Sequence, residues 1–266
     1  TQQQPIANPK SLTVTVQIHL RKQDMAGGGH DEHEHDLKLV GMWASPFVTR
    51  AKLALHLKGL RYEYVEEDLG SKSELLLSSN PVHKTVPVLI HRGRPVCESH
   101  LIVQYIDEAF PADGSPSLRL LPADPYERAT ARFWAAYIDD KVLQPWRGVF
   151  RARTDEERNE WMEQAMAAAG ALEGVLAAGK EGGCFFGGDS VGYVDVLLGG
   201  VVPWVRATAA ITGYELFDAA RTPLLAAWME RFGELDAAKA VFQDVDKLVD
   251  YTKMIMARFA AGTADK

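Results

Sequence analysis

A change of period constrains this chain more than any other feature. Between Leu37 and Ala109 short apolar runs alternate with helical spacings, whereas beyond Pro125 every long pattern is helical. The stretch between them, Pro111-Ala-Asp-Gly-Ser-Pro116 followed by Pro122-Ala-Asp-Pro125, is too rich in turn formers to be an element. Such a chain is expected to form α/β plus all-α: a small sheet domain first, then a helical one. The 266 residues suffice for one large domain or two small ones. The expected divisions are a flexible arm over 1–36, a sheet domain over 37–110, a linker over 111–124 and a helical domain over 125–262.

In the first half, Leu37, Leu39 and Gly41 alternate with Lys38, Val40 and Met42 as in a mostly buried strand that stops at Ser45-Pro46. Ser45 is a good N-cap and Pro46 suits the first helical position. Phe47, Ala51, Leu53, Ala54 and Leu57 then recur at helical spacing until Gly59. Tyr62 to Val65 reads as a second strand, and Lys72 to Ser79 as a short helix or irregular turn. Val86 to Ile90 is an apolar strand, Arg92 to Pro95 a turn, and Pro95 to Cys97 a brief returning strand. Glu98-Ser99 opens a helix through Leu101, Ile102, Tyr105, Ile106 and Ala109. The order is β-α-β-α-β-β-α. In the second half, helices are predicted over Tyr126–Arg151 and Glu156–Leu176, broken at Gly182-Gly183, with a turn at Gly187-Gly188-Asp189. Gly192-Tyr193-Val194-Asp195 has the spacing of a cap and opens an apolar helix through Trp204. Two more helices follow, Pro223–Phe232 and Val245–Phe259.

Charge and cysteine content exclude several function classes. Lys plus Arg number 29 against 36 Asp plus Glu, a net −7, so no broad positive field gathers nucleic acid or anionic lipid. The longest uncharged stretch of the most apolar region, Val196 to Val205, is ten residues, against about 18 for a bilayer span. A soluble protein without nucleic-acid or membrane partners is expected. Cys97 and Cys184 make neither a disulfide framework nor a metal knuckle, and read as buried or partly exposed structural residues. Their scarcity, with no secretory signal visible, suits a reducing, cytoplasmic setting. Residues 1–24 lack an initiating Met and precede Met25, a candidate natural start. His30, His33 and His35 with their acidic neighbours have no apolar framework to fix metal geometry and read as a solvated tail. No metal is expected.

Three places carry possible chemistry. The Ser45-Pro46 junction sets a hydroxyl at a helix N-terminus, where free N–H groups and a partial positive charge favour an anion. A thiolate is one candidate. Depressing a thiol pKa of about 8.5 by two units takes about 2.7 kcal/mol; the helix end supplies up to about 2 kcal/mol and a hydroxyl hydrogen bond roughly 1.5 to 3. Ser45 as a mere cap is the plain alternative. Thr85-Val86-Pro87-Val88 places proline where a strand needs donors, which a cis bond would explain, freeing the Val86 backbone to pair with an extended peptide. An edge-strand proline is equally consistent. Glu98-Ser99 either caps a helix or holds a carboxylate on Ser99 and an ammonium on Glu98. Lys72 reads as a solvated surface charge and Arg50 as a helix-face charge unless a site recruits them.

Taken together, Trp43-Ala-Ser-Pro-Phe47, Tyr62-Glu-Tyr-Val-Glu-Glu-Asp-Leu69, Asn80-Pro-Val-His83, Val86-Pro-Val-Leu-Ile90, Cys97-Glu-Ser99, Leu121-Pro-Ala-Asp-Pro-Tyr126 and Arg132-Phe-Trp134 resemble the tau class of plant glutathione transferases. The resemblance runs from Leu37 to Phe259. It implies a thioredoxin-like domain, an all-helical domain, a homodimer, and glutathione as cosubstrate with no tightly bound cofactor. It implies that Ser45 stabilises the glutathione thiolate, that Val86 before cis-Pro87 pairs with the cysteinyl backbone, that Glu98 and Ser99 hold the γ-glutamyl end, and that Lys72 faces the glycine carboxylate. Where many relatives carry a second Lys after Lys84, this chain has Thr85. The electrophile site would comprise Met42 and Phe47 with Arg147, Phe150, Trp204 and Tyr251; each aromatic has core packing as its alternative. Serine rather than cysteine at position 45 forms no mixed disulfide, which argues against thiol transfer. The implied function is conjugation of glutathione to hydrophobic electrophiles, with glutathione-dependent peroxide reduction as an accompanying activity. A non-catalytic carrier of apolar molecules and an interaction module are the rivals.

Overall fold

The computed structural model describes residues 36–111, 119–179 and 183–260, the side chains of 259 and 260 excepted. The His30–His35 stretch, Gly182 and most of the proline-rich segment after Pro111 lie outside the described residues.

The first elements are β1 (Leu37–Gly41), α1 (Pro46–Leu57), β2 (Glu63–Glu66), α2 (Glu74–Ser79), β3 (Val88–His91), β4 (Arg94–Cys97) and α3 (Ser99–Ala109). They form a mixed sheet ordered β2-β1-β3-β4, parallel at β1–β2 and antiparallel at the other two ladders. Both β3 and β4 differ by one or two residues from the expected bounds, β3 starting after the proline rather than at Val86. Period two sorts the strands between two layers. Leu37, Leu39 and Leu89 join the main core with α1 and α3, while Val40 and Val88 face the other way onto Leu76 of α2. The β3–β4 turn is Arg92-Gly93, with φ +52 and +71 as a two-residue type I′ hairpin requires. Asp36, expected in the arm, accepts from Arg92 Nε at 2.9 Å and so is tied to this turn.

The second half is helical: α4 (Pro125–Tyr137), a π turn (Ile138–Leu143), α5 (Gln144–Val149), α6 (Asp155–Ala177), α7 (Tyr193–Gly199), α8 (Val202–Thr212), α9 (Pro223–Gly233), α10 (Asp236–Val241) and α11 (Val245–Ala260). The single helix expected over Tyr126–Arg151 is therefore three pieces. Pro145 brings no N–H and crowds the Lys141 carbonyl, so an α register cannot run through it. Just before it the chain widens, with the Gln144 N–H bonding the Asp139 carbonyl five residues back.

The apolar helix expected to end at Trp204 also differs. It pauses at Gly200-Val201, because Pro203 has no N–H for the Gly199 carbonyl, and resumes to Thr212. The rod Tyr193–Thr212 is long and apolar enough to cross a membrane by length and composition, beyond what the ten-residue count suggested. Its most apolar window is 78% buried inside the protein, as a core helix is. Asp195 anchors its start: the buried carboxylate accepts from the N–H groups of Phe186, Gly187 and Gly192 and from Trp228 Nε1 at 2.8–3.0 Å. Lys58 and Asp107 form a buried ion pair at 2.6 Å, and Asp107 also accepts from the Leu120 and Leu121 N–H groups. One contiguous apolar core runs from Leu37 through both halves to Leu248.

Candidate active site

A cavity of about 580 Å³ opens where the end of β1, the starts of α1 and α3 and the loop before β3 face α5, α8 and α11. Every residue named from the sequence for glutathione or the electrophile lines it. Ser45, Lys72, Val86, Pro87, Glu98 and Ser99 lie on the sheet side with Met42 and Phe47, and Arg147, Phe150, Trp204 and Tyr251 on the helical side.

Ser45 sits in extended backbone just before α1, and its Oγ accepts from the Val48 N–H at 3.3 Å. It is thus a helix cap, as the plain alternative holds. The two readings are compatible: Oγ accepts within the protein and its proton remains to be donated. Pro46 has no N–H, so the Phe47 amide is what this helix end offers beside the hydroxyl.

The Val86-Pro87 bond is cis. Its approach is fixed by Asn80, which is buried, donates from Nδ2 to the Thr85 carbonyl at 3.0 Å and accepts from the His83 N–H at 3.1 Å. Lys84, at φ +54, is turned within this loop, and both Lys84 and Thr85 line the cavity. Lys72 is exposed at the rim. It directly precedes Ser73, the cap of α2, which is gripped by the buried Glu67 through its N–H at 2.5 Å and its hydroxyl at 2.7 Å.

Glu98 adopts φ +68, ψ 116, a conformation costing a non-glycine residue of order 1–3 kcal/mol. Its carboxylate lies 3.8 Å from His83 Nε2. Ser99 is the first residue of α3 and is buried. Its Oγ accepts from Arg50 Nη1 at 3.3 Å.

Arg50 corrects the sequence reading. It is not a solvated helix-face charge but fully buried, pointing from α1 into the helical half. Nε donates to the Leu197 carbonyl at 2.8 Å, and Nη2 and Nη1 reach the Asp139 carboxylate at 2.6 and 3.3 Å. Gly200 makes room: a Cβ there would lie 2.5 Å from Arg50 Cγ. Sequence reasoning missed Asp139, which also lines the cavity. The only local hint was Pro145, which displaces the helix carrying it.

The opposite wall is aromatic. Trp204 donates from Nε1 to the Ala44 carbonyl at 2.6 Å, fastening α8 beside Ser45. Its ring meets those of Trp146, Phe150 and Tyr251 edge-on at 6.0–6.2 Å. Phe47 carries the Arg50 guanidinium 5.1 Å and the Arg147 guanidinium 5.9 Å from its ring centroid. Burial, and then the neighbouring Arg151 charge, lower the Arg147 pKa; burial raises that of Tyr251.

Cys97 is half-buried, its Sγ directed at the Ser79 carbonyl, and burial pushes its pKa up. Cys184 is exposed rather than structural filling. Neither lines the cavity. Among the described residues no group of three or more His, Cys, Asp or Glu side chains is placed to hold a metal ion.

The chain matches two family models, glutathione S-transferase, N-terminal domain, over residues 39–116, and glutathione S-transferase, C-terminal domain, over residues 155–231. It is 54% identical over 244 residues to a probable glutathione S-transferase of Oryza sativa subsp. japonica, covering 90% of this chain and 100% of that one. It is 46% identical to glutathione S-transferase U17 of Arabidopsis thaliana, covering 83% and 96%. Among solved structures it resembles a tau-class glutathione S-transferase of mango, Mangifera indica, with a TM-score of 0.77 at 43% identity, covering 83% and 98%. A rice enzyme solved in complex with glutathione gives 0.75 at 38% identity, covering 84% and 98%. The fold is accordingly a thioredoxin-like domain followed by a helical one, and the chain belongs to the tau class of the glutathione S-transferase family.

Proposed function

We propose that this protein conjugates the thiolate of reduced glutathione to hydrophobic electrophiles, with Ser45 as the group that stabilises the sulfur anion. The observation that carries this reading is the convergence in one cavity of a donor-capable hydroxyl at the start of α1, the cis-Pro87 loop and the Glu98-Ser99 start of α3, opposite an aromatic wall. The Val86 backbone pairs with the cysteinyl residue as a short strand would. Ser99 and the free amides of α3 receive the γ-glutamyl carboxylate, Glu98 its ammonium, and Lys72, with Lys84 beside Thr85, the glycine carboxylate. Met42, Phe47, Arg147, Phe150, Trp204 and Tyr251 receive the electrophile. With an aryl chloride the thiol proton passes to solvent, the sulfur lone pair forms the C–S bond, and chloride leaves with the C–Cl pair.

The carrier reading is not favoured, since the similar proteins are named as transferases. A cytoplasmic homodimer with a sheet domain over 37–110, a linker over 111–124, a helical domain over 125–262 and an arm over 1–36 completes the proposal. The deciding experiment is Ser45→Ala with 1-chloro-2,4-dinitrobenzene. The thiol pKa of bound glutathione should rise and kcat at neutral pH should fall by about tenfold to a hundredfold, the equivalent of one to two pKa units. Wild-type turnover in the variant would refute Ser45 as the activator.

A further inference from the structure

The electrophile half of the cavity holds two guanidiniums that no carboxylate answers. Arg147, at the end of α5, is half-buried beside Phe47, and among the described residues its side chain makes no hydrogen bond or ion pair. Arg151, one turn further on, lines the same cavity, and its side chain likewise has no partner among the described residues. The acids nearest this space are already engaged: Asp139 by Arg50 at 2.6 Å, and Glu98 beside His83. The charge inventory of glutathione does not consume these arginines either. Its two carboxylates and one ammonium are met by the start of α3, by Lys72 and Lys84, and by Glu98 under the function proposed above, on which this inference rests. A half-buried, unpaired cation next to another is electrostatically unfavourable, and burial first, then the charge of the exposed Arg151, lower the Arg147 pKa. An anion bound there would relieve it through charge-assisted hydrogen bonds, which arginine's planar fork makes in pairs.

We infer that the enzyme prefers amphipathic electrophiles with an apolar ring for the aromatic wall and an anionic group, such as a carboxylate, for Arg147 and Arg151. The chemistry of conjugation is unchanged; the preference acts through binding of the substrate's charged edge.

The test compares 4-chloro-3,5-dinitrobenzoate with its methyl ester. Both lose chloride from the same ring carbon, and each kcat/KM is divided by its own uncatalysed rate constant with glutathione. In the wild-type protein the normalised ratio of acid to ester should exceed one by at least about tenfold, the value of one good charge-assisted contact. Replacing both arginines, Arg147→Gln with Arg151→Gln, should erase that ratio, and the lysine pair should restore most of it. Raising potassium chloride to about 0.5 M should narrow the ratio for the wild-type protein, which decides the matter even if the glutamine pair does not fold. Ester conjugation with no preference for the acid, or a preference that survives loss of both charges, overturns this inference alone. Absence of both reactions overturns the transferase reading and this inference with it.

Discussion

Arg50 and Asp139 lie 89 positions apart and meet where the sheet half touches the helical half. A buried guanidinium is tolerated only when its donors are occupied, and here Leu197, Ser99 and Asp139 occupy them. Because Arg50 also holds Ser99 Oγ, the pair stands directly behind the serine proposed to meet glutathione. Removing one partner of a fully buried pair costs about 3–5 kcal/mol and of an exposed pair about 0–1. Asp139 is 31% exposed by side chain and Arg50 0%, so Asp139→Asn is expected to cost roughly 2 kcal/mol, an intermediate value for a partly screened pair. The melting temperature should fall by about 4–8 °C. A purely structural pair would change stability only, whereas a pair that positions Ser99 should also raise KM for glutathione several-fold while leaving KM for the electrophile nearly constant. Steady-state kinetics with each substrate varied in turn separates the two, and an unmoved KM for glutathione would rule out the positioning role.

At the scale of elements, what was legible in the sequence is what is encoded locally. Ser45-Pro46, Gly192 to Asp195 and the Arg92-Gly93 turn each carry their structural reason within four residues; the first two formed as read, and the turn formed shorter than the expected Arg92 to Pro95, with Arg94 and Pro95 in the strand. The π turn, the pause at Gly200-Val201 and α10 were not legible. The first two come from prolines whose missing donors act four residues upstream, and α10, six residues long, is too short to show a period. The aromatic wall was reachable only through family resemblance, because Phe150, Trp204 and Tyr251 have the same helical spacing that core packing would give them. Asp195 yields a test of local encoding with a definite sign. Burial raises its pKa from 3.8 to about 6 despite four hydrogen bonds. The folded form therefore binds the proton more tightly than the unfolded chain, so this residue's contribution is fully present below about pH 4 and is lost as pH rises through about 6. The shift corresponds to about 3 kcal/mol. Asp195→Asn puts an amide donor against N–H donors and should lower the melting temperature by roughly 5–20 °C at pH 7, two unsatisfied donors at about 1–3 kcal/mol each. The gap between wild type and variant should widen on going from pH 7 to pH 5. A gap that narrows over that range in calorimetry would contradict the burial argument.

On the scale of the whole molecule, the cavity is bounded by both halves, yet a single apolar core runs through them, so its walls are held by continuous packing. One surface has no such cover. Arg132 on α4 bonds Gln104 of α3 at 2.8 Å and approaches Glu108 at 3.6 Å, linking the two helices through their side chains. On these same helices Leu101, Tyr126 and Phe133 are 47%, 80% and 60% exposed. Large apolar side chains grouped on one pair of helices mark an association face, and the proposed homodimer would cover them. Burying a phenylalanine is worth about 1.5–3 kcal/mol, so placing a charge at that position should weaken the dimer by at least about tenfold to a hundredfold. Sedimentation velocity of Phe133→Asp across a dilution series should therefore show monomer at concentrations where the wild type is dimeric. Leu101 stands two residues after Ser99 on the first turn of α3, so loss of the partner should also loosen the helix end proposed to receive the γ-glutamyl carboxylate. The monomeric variant is expected to show a raised KM for glutathione that falls again as protein concentration restores the dimer. A variant that stays dimeric with an unchanged dissociation constant would place the contact between subunits on another face.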